Sequence, residues 1–234
     1  MATLEDLLQR YPVWRGAAAA AAACAVPTGF AELDGELPGR GWPAGALTEL
    51  LGEESGIGEL QLVLPAVAAL TAQGKHVAWL APPHLPYAPA LAAAGVDLTH
   101  LAVVRAPGRR DALWAAEQVL RAGSCHALLA WLRQASYAEL RRLAVAAESS
   151  PACALVFRPG AAASRPSPAC LRLALEARPR ALAVRILKRR GAPGGSPLVL
   201  PVKRPFHALD RTSFPLAPAR DARADRRLGL PVHA

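Results

Sequence analysis

Leu47-Thr48-Glu49-Leu50-Leu51-Gly52-Glu53-Glu54-Ser55-Gly56-Ile57-Gly58-Glu59, residues 47–59, decides the fold. An apolar run of strand length (Leu47, Leu50, Leu51) passes through a glycine-rich turn into a segment of helix length, Leu60 to Ala72. Strand, glycine turn and helix in that order make the scaffold of a phosphate-binding loop, G-x-x-x-x-G-K-[ST]. Aligned from Gly52, the scaffold lacks its chemistry: Ile57 stands at the second glycine, Gly58 at the lysine and Glu59 at the Ser/Thr. A carboxylate at a helix N-terminus repels a triphosphate, and no hydroxyl is left there to hold Mg²⁺. Ser55, Gly56 and Gly58 remain as turn formers, and Glu53 and Glu54 add further negative charge.

Outward from this loop the chain alternates strand and helix, which predicts a parallel sheet covered on both faces. Strands are predicted at Leu47–Leu51, His76–Leu80, Leu101–Arg105, Ala127–Leu132 and Ala154–Arg158, and helices at Leu60–Ala72, Pro86–Ala94, Asp111–Ala122 and Tyr137–Glu148. In the last helix Tyr137, Leu140, Ala144 and Ala147 are expected inward, and Glu139, Arg141, Arg142 and Glu148 outward. After residue 160 the period becomes two. Leu171, Leu173 and Leu175 oppose Arg172 and Glu176, and Val184, Ile186 and Leu198–Val202 follow as antiparallel strands. Residues 189–195 form the turn between the last two strands.

The residues before the loop carry a family resemblance. Pro27-Thr28-Gly29-Phe30-Ala31-Glu32-Leu33-Asp34 and Gly41-Trp42-Pro43-Ala44-Gly45-Ala46-Leu47-Thr48-Glu49-Leu50 resemble the start of a RecA-type core, a T-G-x-x-x-L-D segment followed by a G-(x)-P-x-G-x-x-x-E strand. The chain is similar more specifically to the ImuA family, RecA-like accessory proteins of translesion synthesis that are related to the SulA division inhibitors. The resemblance covers roughly residues 1–202. It implies a RecA-like P-loop NTPase core with a central, mostly parallel sheet and a degenerate nucleotide site over residues 26–202. Residues 1–25 would be an N-terminal docking helix and Ala-rich linker, and residues 203–234 a flexible basic tail.

Catalysis is not expected from these residues. The position for a Walker-B acid is Trp131, and the region after the second strand, Leu80-Ala81-Pro82-Pro83-His84, has no carboxylate. Lys75 lies at the wrong end of its strand to replace the missing lysine. His84 and Trp131 are expected to line the strand carboxyl ends and fill the former nucleotide site. The six histidines show no metal-binding spacing, and no G-x-S-x-G elbow occurs. Cys24, Cys125, Cys153 and Cys170 have no close spacing and are expected as reduced thiols. No cofactor or metal is expected.

The formal charge of +9 points to an anionic partner. Lys203, Arg204, Arg211, Arg220, Arg223, Arg226 and Arg227 stand against three acids in the tail, leaving +5 on the other 202 residues. The tail is expected to add weak, non-specific DNA affinity. The loops that would touch single strands, Arg133–Ser136 and Gly160–Pro168, each hold one arginine and no stacking aromatic. Leu4, Leu7, Leu8 and Tyr11 share one face of a short helix that Pro12 ends. That face either packs on its own domain or, as the resemblance implies, docks with Trp14 on a neighbouring protein. The Ala17–Ala23 tract before Cys24 does not read as an export signal, because Glu5, Asp6 and Pro12 precede it. A cytoplasmic protein without a membrane span is expected.

The resemblance implies a non-catalytic RecA-like adaptor of the SOS response, supporting error-prone translesion synthesis beside an ImuB-type Y-family-like protein, an error-prone replicative-type DNA polymerase and RecA. Two other readings stand beside it: a SulA-like cell-division inhibitor acting on a tubulin-like protein, and an atypical ATPase.

Overall fold

Glycine and proline punctuation divides the chain into short strands and helices around one large sheet. The computed structural model describes residues 25–53, 56–190 and 195–202. Leu4, Leu7, Leu8, Tyr11, Trp14, Ser55 and the basic residues from Lys203 to Arg227 lie outside the described residues.

A two-residue ladder, β1 (Ala25–Val26) against β2 (Trp42–Pro43), brackets the short helix α1 (Ala31–Glu36). The main alternation follows: β3 (Ala46–Gly52), α2 (Glu59–Ala72), β4 (His76–Leu80), α3 (Ala88–Ala93), β5 (Leu101–Val104), α4 (Arg109–Ala122), β6 (Cys125–Trp131), α5 (Tyr137–Glu148) and β7 (Cys153–Pro159). A 3₁₀ turn (Gly160–Ser164) leads to β8 (Leu171–Arg178), β9 (Ala181–Lys188) and β10 (Leu198–Pro201). These eight longer strands form one sheet in the order β10-β9-β8-β3-β7-β6-β4-β5. Pairing is parallel from β8 through β3, β7, β6 and β4 to β5. It is antiparallel from β8 to β9 and from β9 to β10. The class is mixed α/β with a central, mostly parallel sheet.

Local chemistry accounts for several boundaries. Helix α5 starts at a capping box, in which Ser136 Oγ accepts from Glu139 N–H and the Glu139 carboxylate accepts from Ser136 N–H. Helix α4 stops where Gly123 adopts φ +64°. Two apolar layers cover the sheet. One gathers Leu33, Leu62, Val63, Leu70, Trp79, Leu155 and Leu173 with α1 and α2. The other gathers Leu47, Leu80, Leu128, Leu120, Leu140 and Leu143 with α4 and α5. Each fully buried leucine contributes about 1.5–3 kcal/mol relative to exposure.

Two expectations are corrected, on β8 and on Tyr137. Strand β8 pairs parallel with β3, so the antiparallel extension begins only at β9, after a tight turn at Pro179-Arg180. Arg172 faces away from Leu171 and Leu173 as expected, and it is buried there beneath the 3₁₀ turn. On α5, Leu143 and Ala146 are buried and Tyr137 is 48% exposed, which rotates the inward stripe away from Tyr137.

Candidate functional site

The T-G-x-x-x-L-D segment proves to be a brace for the loop. Thr28 is fully buried, and its backbone N–H donates to Asp34 Oδ1 at 3.0 Å. Its hydroxyl oxygen accepts from Phe30 N–H at 3.1 Å. Gly29, at φ +87°, lies so close to Pro65 of α2 that a Cβ there would sit 2.4 Å from the proline Cβ. The segment therefore positions the helix that follows the loop.

Between β3 and α2 the chain turns on Gly56 (φ +83°) and Gly58 (φ +102°). A side chain on Gly58 would start 3.1 Å from Val202 Cγ2, so the lysine position is closed by both backbone and packing. Ile57 points into the core. Glu59, the first residue of α2, is nine-tenths buried and folds back so that Oε1 accepts from Gly56 N–H at 2.9 Å. The amide that a phosphate oxygen would take is thus held by the chain's own carboxylate. The other oxygen, Oε2, has no hydrogen-bond partner.

The cleft at this end of β3 is lined by the apolar Leu50, Ile57, Trp131, Phe157 and Leu175 and by three charged residues, Glu59, the buried Arg158 and the exposed Arg133. Its cavity is about 30 Å³, against roughly 300–1,000 Å³ for pockets that bury a small organic ligand. Trp131 stacks on Phe157 (centroids 4.6 Å, planes 11° apart) and meets Trp79 at 5.8 Å. Trp131, the last residue of β6, thus fills this end of the sheet with ring contacts. His84 is exposed and does not line the cleft, which corrects its expected role.

Beneath the loop lies a charged group that the sequence did not reveal. Glu49 of β3 is completely buried between Arg158 of β7 and Arg172 of β8, with Arg158 Nη1–Glu49 Oε1 at 2.5 Å and Arg172 Nε–Glu49 Oε2 at 2.6 Å. Arg158 also donates to the Ala135 carbonyl, and Arg172 to the carbonyls of Ala162 and Ala163. This group ties the segments after β6 and β7 to the loop strand. In the sequence Glu49 stood out as the acid that ends the G-(x)-P-x-G-x-x-x-E motif inside an apolar run, but its two arginine partners did not. Among the described residues no cluster of His, Cys, Asp or Glu could hold a metal ion, and no helix is long and apolar enough to cross a membrane.

Fold and site together define a mixed α/β protein with a strand–turn–helix junction whose Gly56 amide donates to the Glu59 carboxylate. Comparison with known proteins sharpens this. Residues 45–154, from the start of β3 to the start of β7, match the family model described as cell division inhibitor SulA. A curated relative, the cell division inhibitor SulA of Edwardsiella piscicida, is 31% identical over 98 residues, covering 42% of this chain and 58% of the relative. The chain thus spans less than two thirds of that relative's length. The crystal structure of SulA from Pseudomonas aeruginosa aligns at 26% identity, with 50% of this chain and 100% of that chain covered and a TM-score of 0.43.

These matches correct the functional expectation. The similarity is to SulA, not to an ImuA-type, RecA-like translesion adaptor, and the related family named second in the sequence reading is the one supported. The T-G-x-x-x-L-D segment that carried the expectation lies outside the matched residues 45–154, and in the structure it braces α2.

Proposed function

We propose that this protein is a SulA-like inhibitor of cell division that acts by contact with a tubulin-like division protein and without nucleotide chemistry. The observation that carries the reading is the SulA family match over residues 45–154, the segment that supplies the loop, the four strands β3 to β6 and the first two residues of β7. The site geometry agrees with it. Gly58 cannot carry a lysine in its present packing, Glu59 occupies the loop amide, and Trp131 replaces the Mg²⁺-ordering acid. The strand–turn–helix junction also supports reading the scaffold as a phosphate-loop core that has lost its ligand. A contact inhibitor of a cytoplasmic polymer works in the cytoplasm.

Controlled expression in a rod-shaped bacterium tests the reading. The expected result is long, undivided cells at protein levels that leave growth in mass unchanged. Normal cell length at the same soluble level would overturn it.

A further inference from the structure

We propose that the groove between α4 and α5 docks an amphipathic helix of a partner protein, which sets an apolar side chain against Trp114 and a carboxylate against Arg110. Helix α4 buries Ala112, Ala116 and Leu120 against the sheet, a stripe with one residue per turn. Trp114 falls between these positions, on the side away from the sheet. It is 64% exposed and is the largest exposed apolar side chain among the described residues. Beside it opens a groove of about 240 Å³ whose apolar walls are Leu113 and Trp114 of α4 and Leu143 of α5. An apolar guest displaces water from the indole and the two leucines with a gain. A groove between two helices takes a third helix laid along it, the commonplace geometry of helix recognition.

The charged residues decide what else the guest carries. Both carboxylates lining the groove are already engaged: Glu139 by Arg109 at 2.5 Å, and the buried Glu117 by Arg121 at 2.7 Å and by Arg142. Arg110 also lines the groove, is exposed, and makes no ion pair or side-chain hydrogen bond among the described residues. The acid next to it in the chain, Asp111, lies against Gly108 instead. Helices α4 and α5 together carry five arginines against four acids, so the surplus is one cation, and Arg110 is the unpaired one beside the indole. A carboxylate complements it. A nucleic-acid strand does not, because its backbone needs several free cations in a row and would meet Glu117 and Glu139 in the same groove. Tryptophan and arginine are also the residue types that carry most of the energy at protein interfaces. The proposal is independent of the division-inhibitor reading, since it concerns the side chains of the guest and its test contains no division protein.

The test uses the full chain and, as probe, a blocked alanine-based helical peptide in which leucine and glutamate alternate along one face at helical spacing. Controls are the same peptide with glutamine in place of glutamate, and an oligothymidylate single strand. The readout is the Trp114 indole resonance, assigned by its loss in Trp114→Phe. The expected result is a saturable shift with the acidic peptide and about tenfold weaker binding of the glutamine peptide. Arg110→Gln should weaken the acidic peptide by about the same factor, whereas Arg185→Gln, which removes an exposed charge on β9, should leave its binding unchanged. Arg110, Trp114 and Arg185 are all exposed, so the variants are expected to fold and to keep the urea midpoint. No shift with the acidic peptide, equal binding of the glutamine peptide, equal weakening by Arg185→Gln, or a saturable Trp114 shift with oligothymidylate would each overturn the proposal. So would a concentration-dependent doubling of mass that Trp114→Ala abolishes, which would assign the groove to a second copy of this chain.

Discussion

Glu49 and Arg158, 109 positions apart in the chain, meet at 2.5 Å in the buried centre of the sheet, and Arg172 closes the other side of the same carboxylate. One acid between two guanidinium groups leaves the group with a net positive charge, so the carboxylate is the member whose loss is felt most. Removing one partner from a buried ion pair costs about 3–5 kcal/mol, because the remaining charge stays desolvated. Glu49→Gln is therefore expected to lower the unfolding free energy by about that amount, read as a shifted urea midpoint at constant slope. A loss below about 1 kcal/mol would place the group in the class of exposed pairs.

Gly29 and Gly35 should respond to alanine in opposite directions. At Gly29 the left-handed φ and the 2.4 Å approach to Pro65 both oppose a side chain, so Gly29→Ala is expected to cost more than about 1–3 kcal/mol. Gly35 sits within α1 with open space around it, and Gly35→Ala should stabilise by about 0.4–1 kcal/mol. Thermal unfolding of the two variants checks the pair.

Two groups set different acid limits. Burial first, then Lys75 and His76, push the His126 pKa below its ordinary 6.5. The unfolded chain therefore takes up that proton first, and the stability gained is complete above pH 6.5 and falls as pH drops below it. The Arg109 guanidinium, with help from Ser136, holds Glu139 down to about 2 from 4.5. Its contribution is present above pH 4.5 and is lost as pH falls toward 2. Stability measured against pH should fall less steeply on acidification below 6.5 in His126→Gln, and less steeply only below 4.5 in Glu139→Gln.

Cys153 should be inert while the protein is folded. Burial pushes its thiol up to about 12, and the side chain is enclosed in β7. Iodoacetamide at about pH 8 is expected to leave Cys153 unmodified in the native protein and to label it fully in denaturant, read by mass spectrometry. Native-state labelling at the denatured rate would contradict the packing of that strand.

The sheet was legible wherever a residue's environment follows from its near neighbours. Apolar runs at Leu47–Leu51 and His76–Leu80 and the stripe of Leu60–Ala72 announced β3, β4 and α2 within a residue or two. What escaped depends on partners far along the chain. Arg172 alternates as a surface residue does, and only the turn Gly160–Ser164 folding over it makes it buried. Glu59 was legible as an intruder in a phosphate loop, but not as the ligand of Gly56, since that bond rests on two left-handed glycines. Tyr137 looked inward from its spacing, whereas the capping box at Ser136 fixes the start of α5 and turns that ring outward. The translesion reading failed for a similar reason, since a segment that braces α2 was taken as a functional signature, while the relation to SulA named beside it is the part the matches support.

The most direct measurement is polymer assembly by a purified tubulin-like division protein with and without this chain, in the presence and absence of Mg²⁺-ATP. The account predicts suppression that reaches completion near equimolar ratio and is the same with or without ATP. Unimpeded assembly at excess chain, or suppression that requires ATP, would contradict it.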